Sequence, residues 1–180
     1  PPQVVELEGP GMTAGPDLLR ALRATLRRDM PITKALGLRV VGREGTGLVL
    51  SSPLAPNINH KGTAFAGSLN ATATLAGWGT IWLVLREHGI RSHVVIQDST
   101  VHYVRPVTGD FTARCKSPSA HAVERLVRAV SSKGRGRIEL DVMIADALGD
   151  AVRFHGRYVA MTDGGAAGPR GSGAVRHHPA

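Results

Sequence analysis

A chain of 180 residues with 42% hydrophobic residues is long enough for one domain with a substantial core. A single cysteine, Cys115, excludes an internal disulfide framework and fits a reducing compartment, and no basic, apolar secretory leader opens the sequence. The net charge of +8 points to anionic partners, but with aromatics at only 4% a base-stacking platform for nucleic acid is poorly supported. We therefore expect a cytoplasmic protein that is neither membrane-bound nor nucleic-acid-binding.

Residues 1–15, rich in Gly and Pro, read as a flexible leader. A helix is expected from Pro16-Asp17 to about Asp29, with Leu19, Leu22 and Leu26 on one face. A short helical turn, Pro31 to Leu36, is stopped by Gly37. Leu38 to Glu44 and Leu48 to Leu54 read as a hairpin around Gly45-Thr46-Gly47.

From Gly62 to Leu85 the chain carries no charge for 24 residues. A membrane span needs about 20 predominantly apolar residues. Here four Thr, four Gly, Ser68 and Asn70 interrupt the run, so a helix buried inside a globular domain is the better reading. It is expected to begin near Ala66-Gly67-Ser68, with Leu75, Trp78, Trp82 and Leu85 facing a core. Gly77 and Gly79 weaken such a helix by about 1 kcal/mol each, which implies that a ligand or another part of the chain comes close.

Next comes a long strand, His93 to Val104, a turn through Arg105-Pro106, and a return strand, Phe111 to Lys116. Ser117-Pro118 reads as a helix cap followed by proline at the first helical position. Val123, Leu126, Val127 and Val130 give that helix an apolar stripe, and Gly134 ends it. Arg137 to Asp146 and Ala151 to Met161 form a second hairpin. The Gly-, Pro- and Ala-rich residues 163–180 read as a flexible tail, leaving 16–162 as the domain. The architecture implied is α+β: about six antiparallel strands in a curved sheet wrapped around one long central helix.

Polar residues crowd the approach to that helix: Asn57, Asn59, His60, Lys61 and Thr63. Free N–H groups at a helix start, with the positive end of the helix dipole, can polarise a carbonyl or hold an oxyanion. The alternative is that the asparagines satisfy turn geometry after Pro56. No histidine spacing suggests a metal site.

The pattern Pro56-Asn57-Ile58-Asn59-His60-Lys61-Gly62-Thr63-Ala64-Phe65-Ala66-Gly67-Ser68-Leu69, followed by Leu75-Ala76-Gly77-Trp78, resembles the YiiD C-terminal putative thioesterase family. The resemblance continues through Tyr103-Val104-Arg105-Pro106 and Lys133 to Leu140. It implies a hotdog fold, a homodimer or a dimer of dimers, and hydrolysis of thioesters of CoA or of acyl carrier protein. No cofactor is implied beyond the coenzyme A moiety of the substrate. On that resemblance Asn59 and the Gly67 N–H address the thioester carbonyl. The helix carboxylate of related enzymes falls on Thr74, which cannot act as a general base at neutral pH. Asp98, placed by strand alternation on one face with Val94, Ile96, Thr100 and His102, a face that related hotdog enzymes direct toward the partner subunit's active site, or His60 beside Asn59, would then supply the base. Asn57, Ser68, Asn70, Thr100 and Arg105 are the expected substrate contacts. A module that binds such thioesters without hydrolysing them is the alternative.

Overall fold

The computed structural model describes residues 15–162, so the expected leader and tail lie outside it apart from Gly15. Helix α1 (Pro16–Asp29) starts with its proline in the first turn, buries Leu22 and Leu26, and places Arg27 and Arg28 at its negative end. After the short α2 (Ile32–Ala35), strands β1 (Arg39–Glu44) and β2 (Gly47–Ser52) pair antiparallel. Strand β2 stops two residues earlier than the sequence suggests, because Pro53 precedes a 3-10 turn at Ala55–Asn57.

The remaining elements are α3 (Ala66–Glu87), β3 (His93–Tyr103), β4 (Phe111–Cys115), α4 (Ala120–Lys133), β5 (Arg135–Asp146) and β6 (Gly149–Met161). The six strands form one antiparallel sheet in the order β1-β2-β4-β5-β6-β3. Helix α3 packs against β2, β4, β5, β6 and β3 on one face of that sheet. This is the hotdog arrangement, with β3 left as an edge strand.

Burial explains the uncharged run. Thirteen of the 22 residues of α3 are buried, so most of the helix surface offers a charge no water. Its buried threonines are satisfied locally. Thr72 Oγ1 donates to Ser68 O at 2.8 Å, and Thr80 Oγ1 donates to Ala76 O while accepting the Leu48 N–H, both at 2.9 Å. No described helix is long and apolar enough to cross a membrane. Gly77 and Gly79 are there for sheet packing. A Cβ on Gly77 would fall 2.2 Å from the Tyr158 hydroxyl, and one on Gly79 2.3 Å from Leu48 Cδ2.

Two local readings are corrected. Ser119, not Ser117, caps α4, accepting the Ala122 N–H at 3.2 Å. Ser117 Oγ instead donates to Glu44 O at 2.8 Å and accepts N–H groups of Thr46 and Gly47, fastening the β1–β2 turn. The second correction is a bulge in β3: Ile96 faces Tyr158 but Asp98 faces Arg157, leaving Gln97 unpaired. One extra residue moves every later side chain to the opposite face. The helix face of β3 therefore carries Val94 and Ile96, then Val101 and Tyr103. Asp98, Thr100 and His102 stand on the outer face, in register with Arg157, His155 and Arg153.

Candidate active site

The segment leading into α3 is folded around Asn59. Its side-chain Oδ1 accepts the N–H groups of Lys61 (2.8 Å) and Thr63 (3.2 Å). Its Nδ2 donates to Thr63 Oγ1 (2.9 Å) and Ala64 O (3.3 Å). Both ends of the amide are thus committed to the loop, so Asn59 shapes the approach to the helix rather than offering a free amide. The loop is tied down further by Ala64 N donating to Val107 O at 2.8 Å and Phe65 N donating to Asn57 O at 2.7 Å.

The chain enters α3 through Phe65, extended at φ −67° and ψ 131°, with no side chain capping the helix. Ser68 and Leu69 N–H groups both reach back to Phe65 O, at 3.0 and 3.1 Å. The N–H groups of Ala66 and Gly67 have no acceptor among the described residues, and both residues are exposed. They are the uncapped positive end of a 22-residue helix. Gly67 lacks a side chain where one would meet the Phe65 ring at 2.3 Å, which keeps this backbone open.

Beside these N–H groups lies a groove of about 370 Å³ whose wall includes Asn59, Ala66, Leu69, Tyr103 and Pro106. The Tyr103 hydroxyl donates to Ala66 O at 3.2 Å, joining the end of β3 to the head of α3. Gly67, Asn70, Thr74 and Trp78 recur at helical spacing, and Trp78 Nε1 donates to Val94 O at 3.0 Å. Their stripe therefore runs alongside the edge strand β3. Ser68, Asn70 and Thr74 are half-buried; Asn70 Oδ1 is enclosed without a partner, and Thr74 O accepts the Tyr158 hydroxyl at 2.9 Å. Burial pushes the Tyr158 hydroxyl's pKa well above its ordinary value.

Several expected site residues are elsewhere. Asn57 is buried, and its Nδ2 donates to Leu36 O (2.9 Å) and Pro53 O (2.7 Å), pinning α2 to the 3-10 turn. Arg105 lines the groove, but its guanidinium is taken by Asp146, with further bonds to Gly149 O, Asp150 O and Pro106 O. The Arg105 bond, with N–H groups of Leu148 and Thr108, holds the Asp146 carboxyl down to about 2 against the cost of its burial. Asp98 shares Arg157 with Glu139 on the outer face, across the sheet from the groove. Thr100 and His102 share that face. His60 is exposed on the loop, next to Asn59.

The groove therefore contains no carboxylate and no imidazole of its own. Among the described residues no group of side chains could hold a metal ion. Burial raises the Cys115 thiol to about 11, which leaves it inert. Tyr103 is the groove residue that strand alternation misses, whereas Thr63 belongs to the polar loop that the sequence singles out. The sequence does not mark the change of face: Val95 and Val104 are apolar as well, so the apolar positions of this strand follow no single parity.

Residues 19–162 match the family described as putative thioesterase, YiiD C-terminal. The chain belongs to that family. Among solved structures it is similar to a protein of unknown function from Chlorobaculum tepidum TLS, with 30% identity, a TM-score of 0.77, and 86% of this chain and 100% of that one covered. It is also similar to a putative thioesterase from Shewanella oneidensis, at 27% identity and TM-score 0.74, covering 81% and 99% of the two chains. A probable thioesterase from Pseudomonas aeruginosa shares the fold at 22% identity and TM-score 0.68, over 79% and 94%. The opening of α3 is the candidate site of this YiiD C-terminal domain.

Proposed function

We propose that this chain hydrolyses acyl thioesters carried on coenzyme A or on an acyl carrier protein. The observation that carries this reading is the pair of uncapped N–H groups, Ala66 and Gly67, beside a groove at the head of a buried helix. A thioester carbonyl laid there would be polarised, and the tetrahedral oxyanion stabilised more than the ground state. Such a donor contributes roughly 10²–10³ in kcat when it is aimed at the oxyanion. Asn59 preserves the loop geometry that leaves these donors open. Ser68 and Asn70 line the path of the acyl group, along the stripe that ends at Thr74.

Water must still lose a proton. Asp98 is withdrawn from this role by the bulge, since the sheet separates it from the groove. His60, exposed and adjoining Asn59 on the loop, is assigned the role of base. In this reading the chain works in the cytoplasm as a homodimer, or as a dimer of dimers, with β3 edges paired antiparallel. The coenzyme A moiety enters only as part of the substrate.

A screen of short, medium and long acyl-CoAs with thiol detection tests the proposal. Turnover is expected for at least one chain length, falling in Asn59→Ala and in His60→Gln. No turnover above the Asn59→Ala level on any thioester would overturn it. The absence of a carboxylate or imidazole in the groove, with Thr74 on the helix, favours a second reading: a module that binds acyl thioesters without cleaving them. That reading predicts saturable binding of acyl-CoA with no thiol released.

A further inference from the structure

The outer face of the sheet carries a basin of about 680 Å³, larger than the groove and separated from it by the sheet itself. Its centre is a row of four side chains in register across four strands: Arg114 on β4, Met143 on β5, Arg153 on β6 and His102 on β3. Met143, half-buried, lies between two arginines whose aliphatic stems extend its apolar floor.

The charges around this floor are unequal. Arg114 is met by Glu44 at 3.1 Å and His155 by Asp141 at 2.8 Å. Farther along the same face, Arg157 is met by both Asp98 and Glu139. Among the described residues, the side chains of Arg153 and Lys116 have no hydrogen-bond or ion-pair partner, and both line the basin. A guanidinium presents a planar fork that matches a carboxylate with two parallel hydrogen bonds. An unpaired fork next to an apolar floor, in a basin within the usual size range for ligands, selects for an anion with an apolar body.

We propose that this basin is a second binding site, for a carboxylate bearing an aliphatic tail. The carboxylate is bound by Arg153 with Lys116 beside it, and the tail lies over Met143. The acid that hydrolysis of an acyl thioester releases belongs to this chemical class. The assignment nonetheless stands on the outer face alone and does not require that the chain be a hydrolase.

Octanoate is the probe, titrated into the full chain by calorimetry. The methionine methyl groups, labelled with carbon-13, are followed by NMR, and Met143→Leu assigns the Met143 signal. The expected result is saturable binding that shifts the Met143 methyl, at least tenfold weaker in Arg153→Ala and weakened less in Lys116→Ala. Octanol, which has the tail without the charge, and acetate, which has the charge without the tail, should each bind at least tenfold more weakly than octanoate. Arg153→Ala binding like the wild type, octanol matching octanoate, an unmoved Met143 methyl or no binding at all would each overturn the proposal. Because the readout is binding, these results are distinguishable from any failure of thioester turnover.

Discussion

Replacing Gly77 with alanine isolates the contact that shapes the central helix. On helix propensity alone the change should stabilise the protein by about 1 kcal/mol. The structure reverses the sign. The new methyl would stand 2.2 Å from the Tyr158 hydroxyl oxygen, 2.6 Å from Cζ and 2.8 Å from Cε2. Tyr158 has no exposed surface, so its ring has nowhere to go without disturbing β6. Overpacking of this kind costs about 1–3 kcal/mol. Displacing the hydroxyl from Thr74 O leaves a buried donor unsatisfied, for about another 1–3 kcal/mol. After the gain in propensity is subtracted, the net loss should be about 3 kcal/mol. For a domain of this size that lowers Tm by roughly 6–12 °C. Urea unfolding followed by tryptophan fluorescence gives the comparison, with an unchanged m-value required. Repeating Gly77→Ala in a Tyr158→Phe background removes the nearest atom, so the penalty should shrink and the two changes should be coupled. Gly79→Ala meets only the flexible end of Leu48 and should cost less. A Gly77→Ala protein as stable as the wild type would refute the packing argument.

The Asp146 carboxyl, titrating near 2 when folded and near 3.9 when unfolded, stabilises the fold fully above about pH 4 and loses that effect as pH falls towards 2. Asp146→Asn should therefore melt below the wild type at neutral pH, with the gap closing between pH 4 and pH 2; a gap independent of pH would contradict the pairing with Arg105. Ser119→Ala removes the cap of α4 and should cost about 1 kcal/mol in urea unfolding, whereas Ser117→Ala should loosen the β1–β2 turn instead, seen as faster amide exchange at Thr46 and Gly47. Light scattering should return twice the 19.0 kDa chain mass, or four times it; a monomer at all concentrations would rule out pairing through the β3 edge.

Much of the fold is legible in the order of residues because it rests on local rules. An uncharged run too polar for a bilayer implies a helix enclosed by protein. Proline at the start of α1 and glycine after α4 mark ends that the structure keeps. The glycines of α3 announce a close approach, although not what approaches. The candidate site was placed at the junction of a polar loop and a buried helix by the same pattern. Which of its residues face one another does not.

That was decided by long-range contacts that leave little trace in sequence. One residue of bulge at Gln97 carries Asp98 to the far side of the sheet and brings Tyr103 to the head of α3. The guanidinium of Arg105 was engaged by an aspartate 41 positions later, and the amide of Asn57 by a carbonyl 21 positions earlier. Period and propensity are properties of neighbours along the chain, so the sequence by itself specified a sheet wrapped on a helix. Strand register and the choice of hydrogen-bond partner depend on what the fold places alongside, and only the tertiary structure determined which polar groups remain free to do chemistry.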